Sequence, residues 1–403
     1  MSLLNQNKRV VSGMRPTGQL HLGHYHGVLK NWVQLQHQYD CSFIVVDWHA
    51  LTTHYESTKI IGESVWNMVV DWLACGVNPS LSRILIQSWV PEHAELHLLL
   101  SMMTPLGWLE RVPTYKDQQE KLHDKDLATY GFLGYPLLQA ADVLLYKAEL
   151  VPVGEDQLSH IELSREVARR FNHLYGREPN FEALAEEALK KMGKKNSKLY
   201  QELRTDFQQN GNHESLATAK ALVMNQSNTS VGDKERLLGY LDGCGKMILP
   251  EPQALVSQHA KMPGLDGHKM SKSYNNTISL REPLAMVEKK IMTMPTDPAR
   301  VKRSDPGEPE KCPVWGFHNI YSDESTKTWV QEGCRSAGIG CVDCKRPVVD
   351  AMCKELKPIQ EAIKDIGDDL GSVKSIVAEA SEQARLDAHK TLQEVREFMG
   401  LDY

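Results

Sequence analysis

Apolar residues in the first ninety positions are spaced as in alternating strands and helices. Residues 42–47 form a short apolar run that predicts a buried strand, and residues 83–87 predict the next one. Between them, residues 58–75 show helical spacing of their apolar side chains, namely Ile61, Val65, Met68, Val69, Trp72 and Leu73. Because parallel strands need a crossover helix, this alternation predicts an α/β fold with a parallel sheet, whose ligands lie beyond the carboxyl ends of the strands.

A glycine-containing turn joins an early strand, Val10-Val11, to a helix near the amino terminus. The turn reads Ser12-Gly13-Met14-Arg15-Pro16-Thr17-Gly18-Gln19-Leu20-His21-Leu22-Gly23-His24-Tyr25. A helix start presents free backbone N–H groups to an anion, and residues three apart, such as His21 and His24, share one helix face. Two imidazoles there suit a triphosphate that gains charge during displacement at phosphorus. A turn with two capping histidines is the alternative interpretation.

A second stretch combines cations and hydroxyls on a glycine-containing loop, Gly264-Leu265-Asp266-Gly267-His268-Lys269-Met270-Ser271-Lys272-Ser273. Two lysines on such a loop can close over phosphate groups. We therefore expect the histidine turn and the lysine loop to act on the same kind of ligand.

An acidic residue interrupts an apolar helical pattern at residues 130–147, where Pro136 suits a helix start. Asp142 lies among apolar residues, and a buried carboxylate needs a partner. It is either a structural residue paired with an arginine or a backbone amide, or an anchor for a ligand in an apolar pocket. Downstream, Gly154 allows close backbone approach, and the polar residues 155–157 could hold a ribose.

Changes in composition and in apolar spacing along the chain predict four segments. Residues 1–180 and 250–290 form the two parts of a Rossmann-like catalytic domain, and the polar, helical residues 181–249 form an insertion between them. Residues 291–403 form a helical domain.

Composition favours an ordinary globular protein of two or three domains, with 403 residues, 41 % hydrophobic and 24 % charged. No signal peptide and no run of about 18 apolar residues is found, so we expect a cytoplasmic protein without a membrane segment. The net charge of −6 means that an RNA partner must be held by a local basic patch. Within residues 291–403, which carry 15 basic and 20 acidic side chains, Lys345 and Arg346 are the best candidates.

Four cysteines in the last quarter suggest a metal site. Cys341 and Cys344 form a Cys-x₂-Cys pair, Cys334 lies seven residues earlier, and Cys312 lies 22 residues before Cys334. Without a secretory signal, clustered cysteines favour a metal over disulfides. This spacing does not choose between zinc and a [4Fe–4S] cluster, and four free thiols are the remaining alternative.

His-Leu-Gly-His and Lys-Met-Ser-Lys-Ser, in this order, resemble the two defining motifs of class I aminoacyl-tRNA synthetases. Nearly the whole chain outside residues 181–249 is similar to the bacterial tryptophanyl-tRNA synthetases. The similarity rests on residues 12–18, 21–25, 46–50, 135–142 and 151–157 together with the lysine loop. It implies activation of L-tryptophan with ATP and Mg²⁺, release of pyrophosphate, and transfer of tryptophan to tRNA(Trp). It also implies a homodimer that binds no DNA, with an anticodon-binding domain at residues 291–403.

The resemblance also implies roles for individual residues. The catalytic candidates are His21, His24, Lys269 and Lys272. The ATP-binding candidates are Arg15, Pro16, Thr17, Gly23, His24, Gly154, Glu155, Asp156, Lys269, Met270, Ser271, Lys272 and Ser273. The tryptophan-binding candidates are Tyr135, Gln139, Asp142, Gln157 and His49, with Asp142 accepting the indole N–H. A subset of these enzymes carries an iron–sulfur motif of nearly the spacing of Cys312, Cys334, Cys341 and Cys344.

Other interpretations remain open. Gln139, three residues before Asp142, also occurs in tyrosine-binding relatives, which makes a tyrosyl-tRNA synthetase the runner-up. An iron–sulfur redox or sensor protein would leave both phosphate motifs unexplained. An RNA-binding paralogue without catalysis usually loses a histidine or lysine from the motifs, and here all four are present.

Overall fold

The computed structural model describes residues 8–113, 129–243, 245–256 and 262–403; the side chain of Ser273, an ATP-binding candidate, lies outside what is described. The strands are β1 (Arg9–Met14), β2 (Asp40–Val45), β3 (Ser82–Ile86), β4 (Leu150–Val153) and β5 (Gln253–Val256). The helices of the first half are α1 (Leu22–His24), α2 (Lys30–Leu35), α3 (Asp47–His54), α4 (Lys59–Ala74), α5 (Glu92–Ser101), α6 (Leu106–Glu110), α7 (Tyr130–Leu144) and α8 (Leu158–Tyr175). A π-helical segment, Tyr25–Leu29, joins α1 to α2.

The strands form one sheet in the order β3-β2-β1-β4-β5. β2 pairs with β3 in parallel, from Cys41 opposite Ser82 to Val45 opposite Ile86. β1 pairs with β4 in parallel, with Val10 opposite Leu150. Parallel strands that lie side by side require a crossover connection, so the predicted α/β fold with a parallel sheet is confirmed.

Four further helices follow the sheet-forming part: α9 (Phe181–Lys191), α10 (Gly193–Asn210), α11 (His213–Met224) and α12 (Val231–Leu241). They have an apolar core of their own, made by Ala188, Leu189, Met192, Tyr200, Ala219, Val223, Leu237 and Leu241. The predicted insertion at 181–249 is therefore helical, as the sequence indicated.

The remaining helices are α13 (Leu284–Thr293), α14 (Pro313–Tyr321), α15 (Glu324–Arg335), α16 (Cys341–Asp368) and α17 (Leu370–Phe398). The break between the two long helices falls at Asp369. No helix within the described part of the chain combines the length and the apolar character needed to cross a membrane.

Contacts divide the chain into two compact units. Unit 1 contains Gly13–Gln87 and Val256–Ser381, and unit 2 contains Lys8–Ser12, Ser88–Leu255 and Glu382–Tyr403. The four domain boundaries proposed from the sequence stay a prediction.

One local expectation is wrong. Pro136 lies inside α7, which begins six residues earlier at Tyr130 with Thr129 as its capping residue. Pro136 has no backbone N–H and therefore cannot donate a hydrogen bond to the carbonyl of Phe132. The apolar face of α7 is nevertheless buried on both sides of this position. Tertiary packing here outweighs the local preference of proline for the first helical turn.

Candidate active site and cysteine cavity

The two histidines of the glycine turn cap the backbone of their own helix in unit 1. His21 Nδ1 accepts the N–H of Gly23 at 3.1 Å, and His24 Nδ1 accepts the N–H of His21 at 3.2 Å. The two ring centroids are 3.8 Å apart. A nitrogen that accepts carries no proton, so each neutral ring has its proton on Nε2. The capping and the phosphate-binding interpretations are therefore compatible, because Nδ1 caps and Nε2 can donate.

Both histidines are held in the neutral form at physiological pH. Burial, followed by the charge of Lys272, lowers the pKa of His21 to about 4. Burial, followed by the influence of His21 and of both loop lysines, lowers the pKa of His24 well below its usual value. These rings can therefore stabilise a developing negative charge as N–H donors, whereas the lysines supply the positive charge.

The lysine loop, residues 264–273, packs on the glycine-containing turn that carries the two histidines, residues 12–25. Lys272 Nζ donates to the carbonyl of Thr17 at 2.9 Å, and Gly18 beside it has a φ of +96°, which favours glycine. A Cβ on Gly23 would lie 2.8 Å from the His21 ring and 3.4 Å from the Cβ of Met270. A side chain at position 23 would therefore displace the ring of His21, which explains the glycine.

The remaining ATP-binding candidates of unit 1 are close to this contact in the sequence. Arg15 and Lys269 are exposed, Pro16 and Met270 are buried, and Ser271 is partly buried. Burial lowers the pKa of Lys272, and the negative charge of Asp71 opposes that shift. The structure thus brings together the two motifs that the sequence predicted to act on one phosphate ligand.

A partly buried polar network, which sequence reasoning missed, ties the π-helical segment to the carboxyl-terminal helices of unit 1. Glu355 on α16 accepts from Lys30 Nζ at 2.6 Å and from the Tyr321 hydroxyl at 2.9 Å, and lies 2.9 Å from His26 Nε2. Burial acts to raise the pKa of Glu355, but the bonds and charges of His26 and Lys30 prevail and hold it at about 2. The segment after His24 is therefore anchored to the helix that begins with Cys341. No local sequence signal pairs residues more than 300 positions apart.

In unit 2, Asp142 has a histidine partner. Asp142 is 5 % exposed, and its Oδ1 lies 2.7 Å from Nδ1 of the fully buried His93 on α5. The other nitrogen of this ring, Nε2, lies 2.7 Å from the hydroxyl of Tyr146. The partner expected from the sequence is therefore an imidazole, where an arginine or a backbone amide had been suggested.

The other candidates of unit 2 lie on α7 and after β4. Tyr135 is partly buried, with ring centroids 5.6 Å from Phe132 and 5.5 Å from His160. Gln139 is partly buried one helical turn before Asp142. Residues Gly154, Glu155, Asp156 and Gln157 directly follow β4, at the carboxyl end of a parallel strand.

The remaining tryptophan-binding candidate, His49, belongs to unit 1. It is 7 % exposed near the start of α3, which follows the carboxyl end of β2. His49 and residues 154–157 thus follow strand ends, as the parallel sheet predicts, whereas Tyr135, Gln139 and Asp142 lie on α7.

All four predicted cysteine ligands line one small cavity of unit 1. The cavity, of about 20 Å³, is lined by Cys312, Cys334, Cys341 and Cys344 together with Thr296, Asp297, Arg300 and Val314. Burial and the neighbouring sulfurs raise the pKa of Cys344 to about 12. Among the described residues, no group of three or more His, Cys, Asp or Glu side chains is arranged to hold a metal ion. The four cysteines thus line one cavity, and their role as ligands and the bound group remain a proposal.

Two features fit a soft, negatively charged group in this cavity. Arg300 lies 3.7 Å from the sulfur of Cys334 through Nη1, and its buried Nε has no partner among the described residues. A Cβ on Gly307 would lie 2.7 Å from the same sulfur, so the backbone cradles it closely. Four thiols beside a buried guanidinium fit a thiolate-bound zinc ion or iron–sulfur cluster.

The proposed RNA contact at Lys345 is wrong. Lys345 is only 3 % exposed, and its Nζ donates to the carbonyls of Met292 at 2.9 Å and Met294 at 2.7 Å. Its side chain joins the start of α16 to the end of α13. Arg346 is exposed and pairs with Glu288 at 2.6 Å. Only Arg346 stays a candidate for RNA contact.

Comparison with known proteins places the chain in a family. Residues 4–210 and 235–357 match the family described as tRNA synthetases class I (W and Y). The chain is 63 % identical over 396 residues to a tryptophan–tRNA ligase of Ralstonia nicotianae, with 98 % of this chain and 99 % of that protein covered. It is 44 % identical to a tryptophan–tRNA ligase of Thermotoga maritima at the same coverage.

Among solved structures, the fold is similar to that of tryptophanyl-tRNA synthetase from Campylobacter jejuni complexed with ADP and tryptophan. The TM-score is 0.72 at 27 % sequence identity, covering 98 % of this chain and 100 % of that chain. Both motifs of the sequence analysis fall within the matched residues, and the structure places them in contact. The chain therefore belongs to the class I tRNA synthetases for tryptophan and tyrosine.

Proposed function

We propose that this protein is a tryptophan–tRNA ligase, which activates L-tryptophan with ATP and Mg²⁺ and then transfers it to tRNA(Trp). The observation that carries the activity is the bond from Lys272 to the carbonyl of Thr17, because it seats the lysine loop on the glycine turn. The choice of tryptophan over tyrosine is supported by the names of the relatives that are 63 % and 44 % identical over nearly the whole chain.

The residues of unit 1 act on the phosphates. The tryptophan carboxylate attacks the α-phosphorus of ATP, the bond to the bridging oxygen breaks, and pyrophosphate leaves with the negative charge. His21 and His24 donate through Nε2, and Lys269 and Lys272 supply positive charge to the leaving group. Arg15, Pro16, Thr17, Gly23 and residues 270–273 complete the ATP-binding set. Their electrostatic stabilisation is worth most in the transition state, where the charge develops.

The residues of unit 2 select the amino acid. Asp142 accepts the indole N–H, which is the one hydrogen bond that the tryptophan ring can offer. Tyr135 and Gln139 on α7, together with Gln157, contact the amino acid, and His49 of unit 1 is a further candidate for this contact. Gly154, Glu155 and Asp156 contact the nucleotide. The protein acts in the cytoplasm as a homodimer, with Arg346 as a candidate contact to the tRNA.

The direct test is exchange of pyrophosphate into ATP by the purified protein with each of the twenty amino acids. We expect exchange with tryptophan alone. Exchange with tyrosine would replace this assignment by a tyrosyl-tRNA synthetase. Absence of exchange with every amino acid, from protein that is folded and binds tRNA, would indicate an RNA-binding paralogue.

The cysteine cavity holds a [4Fe–4S] cluster bound by Cys312, Cys334, Cys341 and Cys344, with zinc as the alternative. Convergence of four cysteines from the start of α14, from α15 and from the first turn of α16 supports this proposal. When bound, such a cluster joins four points of the chain through thiolate ligands. The buried guanidinium of Arg300 beside Cys334 offsets the negative charge of these thiolates. The role is structural, because residues of the phosphate site are not among those that line the cavity.

Anaerobically purified protein should be brown and contain about four irons and four sulfides per chain. Cys344→Ala should lose the colour and most of the iron, because it removes one of the four ligands. Cys353→Ala is the matched control, since Cys353 lies on the same helix but does not line the cavity. Colourless protein with one zinc per chain would replace iron by zinc. Metal-free protein with all eight cysteines titratable would contradict the proposal.

A further inference from the structure

His93 is a fully buried, titratable residue that the proposed mechanism does not use. It lies at the second position of α5, and α5 packs against α7 in unit 2. Its exposure is 0 %, and both of its ring nitrogens are within 2.7 Å of an oxygen atom. A buried imidazole with two short polar contacts is fixed in position and in tautomer.

The two partners of His93 lie on one side of the same chain segment. Asp142 is in the last turn of α7, and Tyr146 follows four residues later. Residues four apart at a helix end face the same direction, so one histidine can bridge both. An ionised carboxylate can only accept, which places the proton of the ring on Nδ1, towards Asp142 Oδ1. The Nε2 atom then accepts from the hydroxyl of Tyr146.

From this geometry we infer that His93 is a positioning residue for amino-acid selection. By donating to Oδ1 it fixes the plane of the Asp142 carboxylate and thereby the direction in which Asp142 accepts a second hydrogen bond. Tyr146 holds the ring from the other side. The inference rests on the proposed role of Asp142 as the acceptor of the indole N–H. On this inference, His93 on α5 contributes to the selection of a side-chain ring that carries an N–H over a ring that does not.

Two amide replacements of His93 test the hydrogen bonds of its two ring nitrogens separately. In His93→Asn the amide nitrogen lies near the position of Nδ1 and can still donate to Asp142. In His93→Gln the amide lies near the position of Nε2, so it can still meet Tyr146 but leaves Asp142 Oδ1 without its donor. Both variants place one uncharged amide in the cavity, which makes them matched for polarity. His97→Leu, one turn further along α5, is the control for a change of histidine in the same helix.

The measurement is kcat/KM for pyrophosphate exchange with tryptophan and with 3-(3-benzothienyl)alanine, in which sulfur replaces the indole N–H. We expect His93→Gln to lower the ratio of the two values by about 10- to 100-fold, because the carboxylate of Asp142 is then no longer held in the orientation that accepts the indole N–H. His93→Asn should keep most of the wild-type ratio, and His97→Leu should keep all of it. Thermal unfolding of each variant separates loss of folded protein from loss of selection.

Equal ratios for His93→Gln, His93→Asn and the wild type would overturn the inference. A fall in kcat/KM by the same factor for both amino acids would also overturn it, because that is the result of a purely structural histidine. The variant Asp142→Ala tests the role of Asp142 separately from the role of His93. If Asp142→Ala lowers the ratio but His93→Gln does not, only the role of His93 fails. If Asp142→Ala leaves the ratio unchanged, the proposed reading of the indole by Asp142 itself fails.

Discussion

Replacing Asp142 with alanine is expected to abolish most of the preference for tryptophan over its sulfur isostere, a loss of up to about 10⁴-fold in the ratio of kcat/KM values. A site built to bond a polar group rejects an analogue without that group, because its own buried group is left unpaired. In the variant this penalty disappears, so the isostere should be used nearly as well as tryptophan, and tryptophan itself should be used less well. The ratio of exchange rates for the two amino acids is the measurement.

Asp142→Asn sharpens this test, because it keeps the size of the side chain. A carboxylate can accept from His93 Nδ1–H and from an indole N–H together, whereas an amide has one oxygen and adds two donors. Asparagine therefore cannot satisfy both partners, and selection should also fall. Asp233→Asn is the control, since Asp233 is a buried aspartate of the same unit that pairs with Lys191 at 2.8 Å, away from α7. Unfolding of the Asp142 variants with normal selection per folded molecule would make Asp142 structural.

Periodic apolar residues were sufficient to predict the α/β fold, and the two motifs were sufficient to predict that the residues of the histidine turn and of the lysine loop come together. The helical spacing at residues 58–75 corresponds to α4 (Lys59–Ala74), and the apolar run at 83–87 to β3 (Ser82–Ile86). Burial of one helix stripe or of a whole strand is a local property, so it leaves a local pattern. The histidine and lysine motifs were recognisable because their chemistry is concentrated in a few consecutive residues.

Features that depend on contacts between distant residues could not be predicted. Asp142 was recognised as a buried carboxylate in need of a partner, but nothing near it in the sequence identified His93. Lys345 was interpreted as an exposed cation next to Arg346, yet it is buried because two backbone carbonyls at the end of α13 satisfy its ammonium group. The sequence around a charged residue in a helix does not indicate which backbone carbonyls will lie next to its side chain.

The cysteine cavity could be predicted only in part. The spacing of the four cysteines predicted a common metal site, and in the structure all four line one cavity, while the metal site itself stays a prediction. The buried guanidinium of Arg300 and the close approach of Gly307 to Cys334 were not predicted, because both depend on how the loop before α14 folds over α15.

Lys272→Ala is expected to lower the rate of adenylate formation by about 10- to 1000-fold, with less effect on the affinity for tryptophan. Loss of one preorganised donor at a site of developing charge has costs of this order, and an interaction made mainly in the transition state affects the rate more than binding. In the structure, Lys272 Nζ is within 2.9 Å of the Thr17 carbonyl, and its charge lowers the pKa values of His21 and His24. Removing the lysine therefore takes away both the positive charge and the bond that seats the loop.

Lys272→Arg separates these two contributions. Arginine keeps the charge, but its planar group and longer side chain do not reproduce the bond of an ammonium group to Thr17. If charge alone matters, this variant should retain most of the activity; if seating of the loop matters as well, it should fall between wild type and Lys272→Ala. Lys289→Ala, which removes an exposed lysine from α13 in the same unit, is the control for lost charge. Single-turnover formation of tryptophanyl-adenylate measures the step directly, and an unchanged rate in Lys272→Ala would remove this lysine from the mechanism.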